Sequence, residues 1–457
     1  MKRVFPKIPV EKQLFDNQAL CKLIGPLIAE QFLAVVVGMA DSIMVAQVGE
    51  AAVSGVSLVD GVNILIINIF SALATGGAVA AGQLLGQKNE KQACFAAGQL
   101  YLLSILISAA VTILILLGQS FILTRVFGRL DHDVHQAAAD YLFILTFAIP
   151  FIAVYNSGAA LFRVMGNSRI SMYVSLAMNL LNIVGNALLI FVFHMGVAGA
   201  ALSTLFSRIV AACFITAMLL KPQQLIHLNL PFSIRPEKNM VMRILQVGIP
   251  SGLENSMFQL GKILVLSLVA SFGTSAIAAN AVSNTISGFQ VLAAGAVNLG
   301  LITVISRCVG ARDYEQARYY TRKLLVIAHV AILVTNAIIF LILPVILNAY
   351  NLSPETSALT RQITLWYGIA AMLTWPLSFT LPGTLRAAGD AVFTMTVSIV
   401  SMWLCRILLS YVLGRHLGMG VFGTWVAMTI DWQLRLVLFL LRYRGHKWEQ
   451  RHITKSC

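Results

Sequence analysis

The chain has 457 residues, of which 58% are hydrophobic and only 11% charged, and its mean hydropathy is +0.83. A soluble fold of that length needs far more charge on its surface, so the sequence reads as a polytopic membrane protein. The net charge of +14 would suit a nucleic-acid partner only if Lys and Arg clustered on a soluble face; here they fall in short loops and tails, and no nucleic-acid partner is expected.

A segment crossing lipid needs about 20 mostly apolar residues, because only a helix satisfies its own backbone there. Twelve such segments are predicted, at 20–48, 53–85, 93–117, 136–160, 169–193, 197–220, 241–270, 277–306, 323–349, 361–383, 391–414 and 420–441. Met1 to Asn17 has no short apolar run with a small-residue cleavage site, so no signal peptide is expected. Basic residues crowd one set of loops and both tails, as at Lys88, Lys91, Arg312 and Arg442. The opposite set holds only Arg125, Arg129, Arg361 and Arg415. The positive-inside rule then places both termini in the cytoplasm of a multi-pass cell-membrane protein. Six cysteines lie far apart with no CxxC pair, which points away from disulfides and structural zinc.

In chain order, the first span is the most unusual. Pro26 to Gly49 carries Glu30 and Asp41 and no basic residue. A formal charge at the bilayer centre costs roughly 2.5–3.5 kcal/mol even on lenient scales, so acids there mark function by default. Eleven residues separate the two acids; at about 100° and 1.5 Å per residue they share one face of the helix, roughly 16 Å apart. Asp60 in helix 2 lies at a depth similar to Asp41 and is a candidate to line the same cavity. The outer loop Asp131, His132, Asp133 and His135 has metal-capable groups but reads as an exposed soluble loop. In helix 5, Asn179, Asn182 and Asn186 recur at spacings of three and four, one polar stripe on an apolar helix. Two readings stand for it: interhelical glue, or a surface that donates to a carboxylate and offers carbonyls to a cation.

Lys221 to Lys238, with Pro222, Pro231 and Pro236, is the only inter-helix stretch long enough for a domain linker. In helix 7, Glu254 precedes Lys262 at a spacing that puts the two on different faces, which leaves Glu254 open to a substrate. His329 reads as a satisfied core residue. Gln362 to Gly389 contains no acid. Asp431 and Arg435 are four apart and neutralise one another, whereas Arg208 and Arg406 have no partner in their own helices. Pro26, Pro150, Pro250, Pro344, Pro376 and Pro382 each permit a bend.

The chain is written twice. Adding 224 to the numbering lays Pro26, Glu30, Gly49, Gly76, Gly86 and Gln92 on Pro250, Glu254, Gly273, Gly300, Gly310 and Gln316. An offset of 223 puts Arg163 and Gly166 on Arg386 and Gly389, and after one inserted residue Gly196 and Gly199 meet Gly420 and Gly423. The expected fold is an all-α membrane protein of twelve transmembrane helices, in two parallel six-helix bundles related by a pseudo-twofold axis along the membrane normal, with a substrate cavity between them. The predicted organisation is a cytoplasmic tail at 1–17, a first bundle at 18–220, a cytoplasmic linker at 221–240, a second bundle at 241–442 and a tail at 443–457.

Several stretches carry a family likeness: Pro26 with Ala40 to Val45 and Gly49; Gly76 to Gly86; Arg163 to Asn167; Asn179 to Asn186; Gly196 to Thr204; Gly248 to Glu254; and Arg386 to Asp390. In these the chain resembles the multidrug and toxic compound extrusion transporters, over essentially its whole length. The resemblance implies a secondary active exporter working by alternating access, in which a helix 1 Asp, polar residues of helix 5 and a helix 6 Thr form the cation-coupling cluster. Carried over, these are Asp41, Asn182, Asn186 and Thr204, with Na+ at Asp41 if the ion is sodium. Some relatives have an Asp where Asn186 stands, which leaves Asp41 nearly alone here. Some also have an acid in helix 10, and this chain has none. Glu30, Glu254, Asp60 and Asn179 are the remaining candidates for a substrate cavity.

The expected activity is antiport of amphipathic, often cationic organic compounds against protons or sodium, by a monomer with no cofactor beyond the coupling ion. A lipid or lipid-linked oligosaccharide flippase of the same superfamily is the alternative. No GxxxxGK[ST] motif occurs, which excludes ATP hydrolysis by this chain, and no intramembrane catalytic dyad or HExxH argues for an enzyme. The repeat also separates the two acids of helix 1. Glu30 falls on Glu254, whereas Asp41 falls on Val265, so Asp41 is the acid expected to couple the ion.

Overall fold

The computed structural model describes residues 13–128, 130–229 and 235–450. Most of the expected N-terminal tail, Arg129, residues 230–234 of the expected linker and the C-terminal tail from 451 lie outside the described residues.

The described residues are helical throughout, in the order α1 (Asn17–Ala46), α2 (Glu50–Gly86), α3 (Glu90–Phe121), α4 (His132–Thr146), α5 (Ile149–Val164), α6 (Ser168–Asn186) and α7 (Gly196–Leu219), then α8 (Lys238–Ala270), α9 (Thr274–Gly310), α10 (Tyr314–Ala349), α11 (Pro354–Trp375), α12 (Leu381–Ala387), α13 (Ala391–Ser401) and α14 (Gly420–Arg444). Wider π turns extend α3 over Ile122–Val126 and α6 over Ala187–Val192, join α11 to α12 over Pro376–Thr380, and carry α13 on toward His416. Among the described residues, ten helices are long and apolar enough to cross a membrane, and α4 with α5, bent by 50°, make an eleventh. The bend falls where Phe147 and Ala148 precede Pro150, whose missing N–H starts a new helix. Pro354–Ala387 completes the twelve; its opening turns are rich in Thr, Ser and charge, which lowers its apolarity.

The duplication persists in local geometry. Gly49 and Gly273 both take positive φ, at 137° and 96°, ahead of α2 and α9, a conformation that costs glycine nothing. Each of those helices ends in the same way. Lys88 and Arg312 sit at φ 58°, and the N–H groups of Asn89 and Asp313 reach back to the carbonyls of Leu84 and Cys308, both at 3.0 Å, which satisfies carbonyls the helix end would strand. The next helix is then capped, with the Asn89 side chain accepting from Gln92 N and Asp313 from Gln316 N.

The chain forms two compact units, Gln18–Gly252 and, taken with residues 13–17, Leu253 onward. The boundary falls inside α8 rather than in the 221–240 stretch because the first turns of α8 pack on α2, where Gly76 lies against the Ile244 carbonyl. The core of the first unit is built from α2, α3, α5 and α7, with Val59, Phe70, Leu100, Leu161, Phe162 and Ile215 all buried. In the second unit, α9 packs against α10, α11 and α12, and Phe15 binds Tyr320, its N–H donating to the phenol oxygen at 2.9 Å.

Candidate functional site

The predicted polar cluster comes together in the first unit from α1, α6 and α7. Asn186 Nδ2 donates to Asp41 Oδ1. One turn back on α6, Asn182 Nδ2 donates to Thr204 Oγ1 at 3.1 Å, and Ser203 Oγ donates to the Asn182 carbonyl at 2.7 Å. These contacts require α6 and α7 to approach closely, and Gly185 makes that possible because a Cβ there would collide with Ser203. Directly after Asn186 the helix widens into its π turn, a feature frequent at functional sites because it frees backbone groups.

Asn186 Oδ1 is buried and accepts no hydrogen bond, and Asn179 Nδ2 is likewise buried without a partner. Asp41 itself has no ion-pair partner within 4 Å among the described residues. Asp60, on α2, lies within electrostatic reach of both Asp41 and Arg208 and accepts a long hydrogen bond from Tyr141 at 3.5 Å. Arg208 is buried and donates to Asn63 Oδ1 at 3.4 Å. Arg208, Asn63 and Tyr141 were not singled out as site residues. Spacing carried a signal for two of them: Arg208 is one turn beyond Thr204 on α7, and Asn63 one turn beyond Asp60 on α2.

Glu30 and Glu254, expected to line a substrate cavity, are instead held in matching buried ion pairs. Glu30 accepts from Ser171 Oγ at 3.0 Å and lies 3.9 Å from Arg163 Nη2. Glu254 lies 2.7 Å from Arg386 Nη2 and accepts from Ser398 Oγ at 2.7 Å. Arg163 and Arg386 are themselves repeat mates. A buried acid held by a guanidinium and a hydroxyl is a structural tie, although both contacts of Glu254 fall on Oε1 and its Oε2 is buried without a hydrogen-bond partner among the described residues.

The second unit holds a half-open cavity of about 610 Å³. Val265 and Asn284, the repeat mates of Asp41 and Asp60, line it, together with Met428 and Trp432, the mates of Thr204 and Arg208. Lys262 and Arg406 are its charged residues, and the rest of the wall mixes aromatic rings such as Phe258, Tyr367 and Trp375 with aliphatic and neutral polar side chains. Asp431 and Arg435 pair at 3.0 Å, as their spacing predicts. His329 Nδ1 lies 2.8 Å from the Leu325 carbonyl, and His132 and Asp133, expected in a loop, instead open α4 and lie 3.7 Å apart on the surface.

The family model described as MatE matches this chain twice, over residues 26–188 and 250–412, and the two stretches begin 224 residues apart, the offset of the internal repeat. The uncharacterized transporter YisQ of Bacillus subtilis (strain 168) is 28% identical to this chain, the match covering 98% of each. A probable multidrug resistance protein NorM of Thermotoga maritima is 25% identical, over 98% of this chain and 96% of the relative. A solved structure described as an outward-facing conformation of a multidrug resistance MATE family transporter of the MOP superfamily superposes with a TM-score of 0.87 at 21% identity, covering 94% of this chain and 96% of that one. This last likeness shows a shared fold.

Proposed function

The chain belongs to the MatE family, and from that premise we propose that it is a secondary active multidrug exporter. It moves amphipathic, often cationic organic compounds out of the cell against an inward flow of protons or sodium ions, as a monomer in the cell membrane with both termini cytoplasmic. The observation that carries this reading is Asp41, a half-buried carboxylate held by Asn186 but left without a cation.

A carboxylate in low dielectric needs a proton or a cation beside it to be stable. The buried Asn186 Oδ1, one of the acceptors still unused, supplies a second oxygen of the kind a hard cation prefers. Asn182 and Thr204 hold α6 against α7 and so fix where Asn186 points. With the ion bound, the charge of Asp41 is neutralised and a cationic compound loses its counter-charge; with the ion gone, Asp41 and Asp60 together attract it. Ion and substrate therefore oppose each other at one place, which is the condition for antiport.

Export of a fluorescent organic cation from proteoliposomes, with proton and sodium gradients imposed separately, tests the proposal. Accumulation against the substrate gradient under one of the two is expected. Uphill export with neither gradient, or none with either, contradicts it.

A further inference from the structure

We infer that the cavity of the second unit binds a small aromatic organic anion, its acid group held by Lys262 and Arg406 and its ring seated among Trp375, Phe379 and Trp425. About 610 Å³ is the size of a small-molecule site. Among the described residues no acid lines it. The nearby acid Asp431 does not line it; its Oδ1 pairs with Arg435 at 3.0 Å, and its Oδ2 is buried with no hydrogen-bond partner among the described residues. Lys262 and Arg406 have no carboxylate partner among the described residues; both turn instead to the face of Phe258, at 5.1 and 5.0 Å from the ring centre. A single ring between two cations does not balance two charges.

The hydrogen-bond inventory points the same way. Arg406 Nε and Trp432 Nε1 are buried donors with no acceptor, and Lys262 brings donors only. Trp425 Nε1 is already spent on Asn280 Oδ1 at 3.1 Å. The surplus in the cavity is therefore of donors and positive charge, which a carboxylate or sulfonate satisfies and an organic cation worsens. The walls select for a flat ring over a flexible chain. Trp375 and Phe379 stack with centres 5.1 Å apart, and Phe379 meets Trp432 edge-on at 5.7 Å, leaving aromatic faces and edges to contact a further ring. Val265 stands where the repeat places Asp41, so the charge that would repel such an anion is missing from this unit alone.

The inference concerns binding and is tested without any gradient, so it stands or falls apart from ion-driven export. Affinities of the purified full chain are measured by calorimetry for naphthalene-2-sulfonate, its uncharged sulfonamide and the N-methylquinolinium cation. The sulfonate is expected to bind, and the cation to displace it only at concentrations about tenfold or more above those of a second aromatic sulfonate. Lys262→Met should weaken the sulfonate by about tenfold while changing the sulfonamide by less than about twofold, and Lys262→Arg should restore the anion. If Lys262→Met does not fold, the failure of the cation to displace the sulfonate from the unaltered chain decides the matter. The inference is overturned if the cation displaces the sulfonate as well as a second aromatic sulfonate does, if the sulfonate does not bind, or if Lys262→Met leaves sulfonate affinity unchanged. Displacement of the sulfonate by farnesyl pyrophosphate at lower concentrations than by a second aromatic sulfonate also overturns it, by assigning the cavity to a lipid phosphate.

Discussion

Where the first unit has Asp41, Asp60, Thr204 and Arg208, the second has Val265, Asn284, Met428 and Trp432. The same repeated positions thus line an acidic, hydrogen-bonded site in one unit and an aromatic cavity with two free cations in the other. The frame around them has not diverged in this way. Both units keep the glycine turn before their second helix, the left-handed residue and capped start that follow it, and a buried glutamate tied to an arginine and a serine. Duplication preserved what sets helix positions and released what faces the interior, so chemistry specific to one unit is to be sought at positions where the two copies disagree.

The comparison yields graded tests. The largest effect is expected at the shared frame. Glu30→Ala and Glu254→Ala each leave a half-buried guanidinium without its carboxylate, at a cost approaching the ~3–5 kcal/mol of a fully buried pair, and thermal unfolding in detergent should show both destabilised. Glu254→Ala should be the worse of the two because its ion pair is the shorter, 2.7 against 3.9 Å. A negligible shift for either would mean that its glutamate is not structural.

Next is the polar cluster. Asn186→Ala removes a hydrogen bond to a charged group, worth about 1.5–3 kcal/mol, and should raise the half-saturating concentration of the coupling ion by tenfold or more on that scale. Asn182→Ala, which breaks a neutral bond to Thr204, should raise it only severalfold. Equal effects would show that the carboxylate partner is not special. Val265→Asp then rebuilds in the second unit the acid that distinguishes the first, and should weaken aromatic anion binding there by about tenfold, or ~1.4 kcal/mol. The smallest effect is expected at the caps. Asn89→Ala and Asp313→Ala should each lower stability by about 1 kcal/mol, by similar amounts if the repeated frame is equivalent in the two units.

Much of this was legible in the sequence because lipid leaves few options. Twelve apolar stretches had to be helices, and the regular offset exposed the duplication. The Asp431–Arg435 pair was legible because its spacing is local. Asp41, Asn182, Asn186 and Thr204 were joined through family resemblance, and the structure places them in two adjoining hydrogen-bonded pairs. The partners of Glu30 and Glu254 were not legible. Arg163 and Arg386 lie far along the chain, and no local pattern says that α5 turns its end toward α1 or that α12 turns toward α8. The π turns after Phe121 and Asn186 leave no mark in composition. Nor does the cavity of the second unit, since Lys262, Trp375, Arg406 and Trp425 come from four separate helical segments and converge only in three dimensions.

The central claim is that ion coupling resides in the first unit, at Asp41. Uphill export by Asp41→Asn, measured in proteoliposomes under separate proton and sodium gradients, tests it most directly. The account predicts a variant that folds, binds a cationic substrate more weakly and no longer responds to either gradient. Export with the ion dependence of the unaltered chain would contradict it.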